Sequence, residues 1–580
     1  MACVPDRCLC HILVLASGKA HETKSGRLML AAEALLRRLH QHGVTYLLAN
    51  AGTDFAPIIE VYEQTRADWS GLPIPVVIPH ESVAMGMAHG YYLASGRPLA
   101  VMVHVNVGLA NTVMGFLNAQ SDHVPIIGLA GRTPVTEYAR PGARMTPIQY
   151  SQEMFDQNGL VREAVRWDYE LRYGEQVVDA VDRALMQAMD TPHAPVLLTL
   201  PREALAESID GGIGLSRALP QRPGRRALDP ETVAQLADRI KSARNPLCIV
   251  QGGDVEGRLA AALSMFAERA GCPVAEPFAI RNVLPATHPW HLGYALPAVF
   301  EDADLILVVD APVPWIPRFR KPNEAAFIVH LGLDPSRRHL PMRSHRADWM
   351  LSADPASVFE QLIPHFEGAV ARQSPGKAAR TIAPVASSNG QPVHPVRVGE
   401  LLRRALPDDA LVVSELGPPI GSGAPPHPNT WMTPPFSGGL GFGVPAALGA
   451  KLADPRRTVV AAVGDGSYIF ANPVACHQVA EALSLGILVI VLDNGCWNAT
   501  RRAALNMYPD GAAARQDKPV LTDLEPSPDF AMIAAASRAA SWTAPDEAGF
   551  ALALDAALRH IEATGHQALI RVLVEKTEGF

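Results

Sequence analysis

The sequence predicts an α/β protein made of three open parallel-sheet α/β domains. Short apolar, β-branched runs alternate with helical stretches along most of the chain, the pattern of parallel strands joined by crossover helices. Many of these runs end in turns carrying Gly, Asn, Asp or His, at the strand ends where open parallel sheets bind ligands. Two stretches lack such runs: 209–228 is rich in Gly, Arg and Pro, and 366–393 in Ala, Ser, Pro and Gly. They divide the 580 residues into units at 26–208, 228–365 and 394–576, behind an N-terminal extension at 1–25, with 366–393 as a linker.

In the first unit the spacing of Leu28, Leu35, Leu36 and Leu39 predicts a helix over 28–42. Strands follow at 44–48, 74–78, 98–104, 125–130 and 196–200. The first ends in Asn50-Ala51-Gly52-Thr53-Asp54, a βα turn. The second ends in Pro79-His80-Glu81, before a helix of small residues over 82–95. The third ends at His104, before a turn at 105–111 and a helix over 111–121. The middle unit has strands at 247–250, 305–309 and 326–330.

The third unit carries the most chemistry. A buried strand over 457–463 runs into Gly464-Asp465-Gly466-Ser467, and a helix-like segment spans 472–485. A second buried strand over 486–492 then ends in Asp493-Asn494-Gly495-Cys496. Two oxygen ligands at adjacent strand tips suit Mg²⁺, which takes one or two carboxylates plus phosphate oxygens. Asp465 would supply a carboxylate, Asn494 an amide oxygen and Cys496 a backbone carbonyl, while the amides of Gly466 and Ser467 would take a phosphate. Taken singly, either piece also reads as an ordinary turn.

Other classes are excluded by composition. A formal charge of −8 gives no basic footprint for nucleic acid. No apolar run reaches membrane-spanning length. Seven cysteines without a framework spacing argue for a reducing compartment, so the expected location is cytoplasmic. The apolar run at 9–16 is short and contains His11, and reads as part of the extension rather than a signal peptide.

Gly464-Asp465-Gly466-Ser467 through Asp493-Asn494 resembles the diphosphate-binding motif of thiamine diphosphate (ThDP) enzymes, with Asp493 replacing the first of two asparagines. Ser437-Gly438-Gly439-Leu440-Gly441-Phe442-Gly443 resembles the segment that bends the cofactor, and Leu440 matches the wedging residue. The segment around His80-Glu81-Ser82 resembles the one carrying the family's essential glutamate. Val105 to Asn111 resembles a Gly-Pro-Gly-x-x-Asn turn, with Asn106-Val107-Gly108 departing from it. The three-unit order is similar to that of acetolactate synthases, pyruvate decarboxylases and benzoylformate decarboxylases.

The resemblance implies pyrimidine-binding, middle and diphosphate-binding domains, with bound ThDP and Mg²⁺. It implies that Glu81 bonds the pyrimidine ring and that cofactors sit between the subunits of a homodimer or homotetramer. It also implies a 2-oxo acid substrate and a non-oxidative decarboxylase or carboligase, with an acetolactate synthase-like ligase as the alternative. FAD is not expected, because Asp310 to Pro317 departs from the Arg-Phe-Asp-Asp-Arg piece of the synthases. His104 is similar in position to a proton-transferring histidine of benzoylformate decarboxylase, Thr53 to a serine there; Asn106 and Trp497 are further candidates for the substrate pocket. On the residues alone, Glu81 also reads as a helix-dipole acid and His104 as a structural histidine. Residues 497–525, with Arg501 and Arg502, read as a mobile flap.

Overall fold

A computed structural model of the chain describes residues 28–211, 214–221, 224–343, 345–368, 372–374 and 390–577. The expected extension at 1–25 and most of the linker at 366–393 lie outside the described residues. The three parallel sheets are present. The first has six strands in the spatial order Ile74–Val77, Tyr46–Asn50, Ala100–Val103, Ile127–Arg132, Val196–Pro201, Trp167–Glu170. The third has six in the order Trp431–Met432, Leu411–Glu415, Val459–Gly464, Leu488–Asp493, Ala568–Leu573, Ala540–Ala544.

These two sheets share one topology: the second strand of each unit, then its first, third, fourth, sixth and fifth. The middle sheet repeats it with five strands, Val274–Ala275, Pro246–Val250, Leu305–Val309, Phe327–Gly332 and Trp349–Ser352. The order reverses between the first and third strands of each unit, so a crevice opens at their carboxyl ends. In the first domain those ends are Asn50 and Val103; in the third they are Glu415 and Gly464.

Strands buried on both faces explain the continuous apolar runs. In the first sheet Leu48 and Val101 enter one apolar cluster, while their neighbours Leu47 and Ala100 enter another. The first of these clusters does not stop at the domain boundary. It runs from Val83, Met87 and Tyr91 through Phe442, Val444 and Ala447 to Val463 and Val489. Its centre is the crossing of helix Glu81–Ser95 with helix Gly443–Ala453. A Cβ at Gly90 would lie 2.0 Å from the Ala446 carbonyl oxygen, and one at Gly449 would lie 1.9 Å from that of Met87. The small residues of the first helix thus bring two backbones into contact and join the first and third domains within one chain.

Several boundaries differ from the sequence reading. Leu28–Leu30 is a strand, antiparallel to Ser208–Asp210, and the helix begins at Ala31. The stretch expected as a linker from 209 therefore starts inside that ribbon. The expected turn at 105–111 is helical, because Val105–Ser121 is one helix. The helix expected over 472–485 is Pro473–Ala482, and a further short helix, Asp465–Phe470, precedes it, with Asn472 between them in the left-handed region. None of the helices among the described residues is long and apolar enough to cross a membrane.

Candidate functional site

The third domain places Asp465 at the amino end of helix Asp465–Phe470, one residue beyond the ladder. Its carboxylate accepts amide N–H groups from Gly466 (2.8 Å), Gly495 (2.8 Å) and Asn494 (3.2 Å). Burial raises the affinity of this carboxyl for protons, and the Asp493 carboxylate nearby adds to that. Beside it, Asn494 Oδ1 and Ser467 Oγ are buried with no hydrogen-bond partner. The Cys496 carbonyl accepts the Asn498 N–H at 2.7 Å and keeps a second lone pair. Uncompensated buried oxygens around a buried carboxylate fit a hard cation that takes oxygen ligands, and Asp465, Asn494 and Cys496 can hold one.

Asp493, at the place where the resemblance leads one to expect asparagine, makes an ion pair with Arg571 on the adjacent strand, Nε to Oδ2 2.7 Å and Nη2 to Oδ2 2.6 Å. Ser527 Oγ and the Gly495 N–H also donate to it. The extra negative charge beside Asp465 is thereby neutralised from the neighbouring strand. The pair was not legible beforehand, because its members lie 78 residues apart.

Leu440 is half-buried in the loop before helix Gly443–Ala453. Glu415, at the end of its strand and in register with Val463, sends a buried carboxylate under that loop. It accepts N–H groups from Gly441 (2.8 Å), Phe442 (3.2 Å) and Gly443 (2.8 Å). Burial pushes the Glu415 carboxyl up to about 7, with the three amides pulling the other way. Trp497 lies against Gly466, where an added Cβ would come within 2.3 Å of its ring. The expected flap at 497–525 begins as an ordered helix, Asn498–Met507, with Arg501 buried.

The first domain holds the other group of candidates. Glu81 opens its helix, 8% exposed, and accepts Asn111 Nδ2–H at 3.1 Å. A side chain at Gly108 would meet its carboxylate, with a Cβ 3.2 Å from Oε1. The residues of the departing Asn106-Val107-Gly108 segment therefore still shape the Glu81 site. Asn106 itself sits in the first helical turn with a buried Oδ1 that has no hydrogen-bond partner.

His104 directly follows the third strand, at the cap of helix Val105–Ser121, and leans across the switch point to Asp54. Its Nδ1 lies 2.5 Å from Asp54 Oδ1, and the Val105 N–H reaches Asp54 Oδ2 at 3.4 Å. An amide nitrogen only donates, so the contact with Gln152 leaves the proton on Nδ1, toward Asp54, and the lone pair on Nε2. Gln152 Nε2 donates to that nitrogen at 3.2 Å. Gly131 leaves the room that Asp54 fills, since a Cβ there would sit 1.4 Å from Oδ2. Val105, directly after His104, has φ of +36°, a strained value for a β-branched residue. Thr53 is held from both sides, by Gln149 Nε2 on its hydroxyl at 3.5 Å and by Arg202 Nη1 on its carbonyl at 3.0 Å. In the sequence Asp54 stands only as the neighbour of Thr53, and Gln149 and Gln152, in and just after the short helix Ile148–Ser151, carry no local signal.

The candidates thus fall into two groups at the carboxyl edges of two similar sheets. One comprises Thr53, Glu81, His104 and Asn106; the other Leu440, Gly464, Asp465, Gly466, Ser467, Asn494, Cys496 and Trp497. The chain matches three family models: the thiamine pyrophosphate enzyme N-terminal TPP binding domain over 29–160, the central domain over 233–362 and the C-terminal TPP binding domain over 423–572. It is 30% identical to a benzoylformate decarboxylase of Pseudomonas aeruginosa over 479 residues, 80% of this chain and 85% of that protein. It is 26% identical to an acetolactate synthase of Arthrospira platensis over 534 residues, 87% of each. Among solved structures, a thiamine diphosphate-dependent 4-hydroxybenzoylformate decarboxylase of Rhodococcus jostii RHA1 superposes with a TM-score of 0.76 at 24% identity, covering 95% of this chain and 100% of that one. The benzoylformate decarboxylase of Polynucleobacter necessarius gives 0.75 at 23% identity, covering 95% and 99%.

Proposed function

Because the chain belongs to the thiamine pyrophosphate enzymes, we propose that it is a ThDP- and Mg²⁺-dependent non-oxidative 2-oxo acid decarboxylase or carboligase of benzoylformate decarboxylase-like type. When bound, ThDP supplies a nucleophilic ring carbon that adds to a carbonyl and holds the charge left as CO₂ departs. In this reading Asp465, Asn494 and the Cys496 carbonyl hold the cation, and the Gly466 and Ser467 amides hold the diphosphate at a helix start. Gly464 lets the strand end close to it. Leu440 would bend the cofactor, and the Glu81 carboxyl would hydrogen-bond its pyrimidine ring nitrogen, donating to it and so favouring the imino tautomer. Thr53, Asn106 and Trp497 border the substrate.

The observation that carries the reading is the Asp54–His104 pair at the first-domain switch point. A carboxylate-held imidazole at this switch point, whose other nitrogen would exchange the Gln152 amide for the substrate, can accept a proton and return it there, the step that decides whether the product leaves as an aldehyde. A second reading, an acetolactate synthase-like ligase, is favoured by the similarity to acetolactate synthases across most of the chain. Product analysis separates them. With ThDP and Mg²⁺, one aromatic or branched 2-oxo acid should give CO₂ and the matching aldehyde, coupled to a second aldehyde when one is supplied. CO₂ from pyruvate alone, with a coupled 2-hydroxy-2-methyl-3-oxo acid as the only product, would establish the ligase instead.

On this reading the two groups meet across a subunit pair, as the resemblance to these enzymes implies. The active unit is a homodimer or homotetramer with sites between subunits, in the cytoplasm. FAD is not expected in the middle domain on this reading, since Asp310 to Pro317 departs from the corresponding piece of the synthases.

A further inference from the structure

We propose that Glu415 and Asn118 form a two-sided clamp on the loop that bears Leu440, and that Glu415 is a positioning residue for cofactor bending. This rests on the reading of Leu440 as the residue against which ThDP bends.

Residues on both sides of Leu440 are pinned. Behind it, Asn118 of the first domain bonds both backbone groups of Gly439, donating to O at 3.0 Å and accepting from N at 3.1 Å. The same Asn118 Oδ1 accepts Ser437 Oγ–H at 2.6 Å. Ahead of it, the Glu415 carboxylate takes three successive amides, those of residues 441, 442 and 443. Phe442 is the cap position of helix Gly443–Ala453 and offers no side-chain oxygen. Glu415, from a different strand, does the work a capping Asp or Ser does elsewhere.

The loop is closely fitted to its surroundings. A Cβ at Gly439 would come within 2.4 Å of Asn118 Oδ1. Gly441 has φ of +83°, and its Cβ would fall 2.6 Å from the Phe470 backbone. A Cβ at Gly443 would fall 2.7 Å from Val463 Cγ1. Glycine is therefore required at 441, by its φ and by the Phe470 backbone, and fits closely against side chains at 439 and 443, in keeping with the Gly-Leu-Gly-Phe-Gly spelling. Stability alone does not favour Glu415: a carboxylate buried away from water costs free energy that hydrogen bonds offset only in part. Placing a rigid loop under a bound cofactor is a function that such a group serves.

Hydrogen exchange on the cofactor-free protein tests the clamp directly. The amides of residues 441–443 lie outside any ladder and precede the first helical i−4 partner, yet they should be protected in the wild type. Glu415→Gln should speed their exchange and weaken Mg²⁺-dependent ThDP binding, followed by tryptophan fluorescence, by roughly tenfold or more, the loss expected for charge-assisted bonds. Leu440→Ala should weaken ThDP binding equally while leaving those amides protected. If Glu415→Gln fails to fold, Asn118→Ala should still loosen residue 439 and weaken binding. Fast exchange of 441–443 in the wild type, or unchanged exchange and affinity in Glu415→Gln, would overturn the proposal. A wild-type protein that binds no ThDP would instead overturn the cofactor reading, and the proposal with it, whatever the exchange shows.

Discussion

At the residue scale, the groups that were legible are those whose chemistry is written locally. Asp465, Asn494 and Glu81 stand in short motifs, and each is where the motif implied: at a strand tip or at a helix start. What escaped were partners fixed by the fold. Asp54 meets His104 across 50 residues, and Arg571 meets Asp493 across 78. Only the strand order brings these pairs together, and no local pattern encodes it. The Asp54 carboxylate gives a sharp expectation. His104→Ala should lower kcat/KM for decarboxylation by about 10²- to 10⁴-fold, the range for a lost proton-transfer group. Asp54→Asn, which keeps an oxygen for Nδ1–H but not the charge, should lower it less. Both should bind ThDP as the wild type does, measured by equilibrium titration. Equal activity in Asp54→Asn and wild type would remove the positioning role of the carboxylate.

At the element scale, alternation of apolar runs located most strands of the first and middle sheets to within a few residues, because strands buried on both faces leave a continuous apolar signature. Helix starts were less legible. Asn106-Val107-Gly108 has turn composition, yet it is helical, since its glycine is needed for the space beside Glu81 rather than for a turn. Short edge strands such as Trp167–Glu170 and Trp349–Ser352 carry mixed polarity and gave no alternation to read. The run of small residues over 82–95 did carry information, as it marks the crossing with helix Gly443–Ala453. Gly90→Val is expected to destabilise by about 3 kcal/mol or more, at or beyond the upper end for overpacked sites, because the obstacle is the Ala446 backbone. Thermal unfolding of the variant, compared with Gly224→Val at an exposed site where an added Cβ meets nothing within 4 Å, measures this; a similar small loss in both would mean that the helices part without cost.

At the scale of the whole molecule, two sheets of one topology carry two half-sites, and a subunit pair would complete each site with residues from both copies. Glu81→Gln and Asp465→Ala should each be inactive alone. Co-refolded or co-expressed as mixed dimers, they should regain activity, since one of the two sites then has neither substitution. No recovery in verified mixed dimers would place both half-sites in the same chain. The buried ionisable groups also set how the fold responds to pH. Burial pushes Glu276 up to about 8 from an ordinary 4.5, so its contribution is present at low pH and lost as pH rises through about 8. Glu415, raised to about 7, acts in the same sense. His123 and His330 are pushed down to about 3 from 6.5, by burial and by Arg337 and Arg343, so they destabilise as pH falls below 6.5. Above 6.5 only the acids remain in play. The melting temperature of the cofactor-free protein should therefore fall between pH 6.5 and 8.5, and Glu276→Gln should flatten that fall; a wild-type curve rising over that window would contradict the assignment.

The most direct test of the central claim is CO₂ release from an aromatic 2-oxo acid by the cofactor-free protein, before and after addition of ThDP and Mg²⁺, with Glu81→Gln alongside. Release is expected only when both are added, and its loss in Glu81→Gln with cofactor binding retained. Tight, Mg²⁺-dependent ThDP binding with no CO₂ from this or any other 2-oxo acid would contradict it.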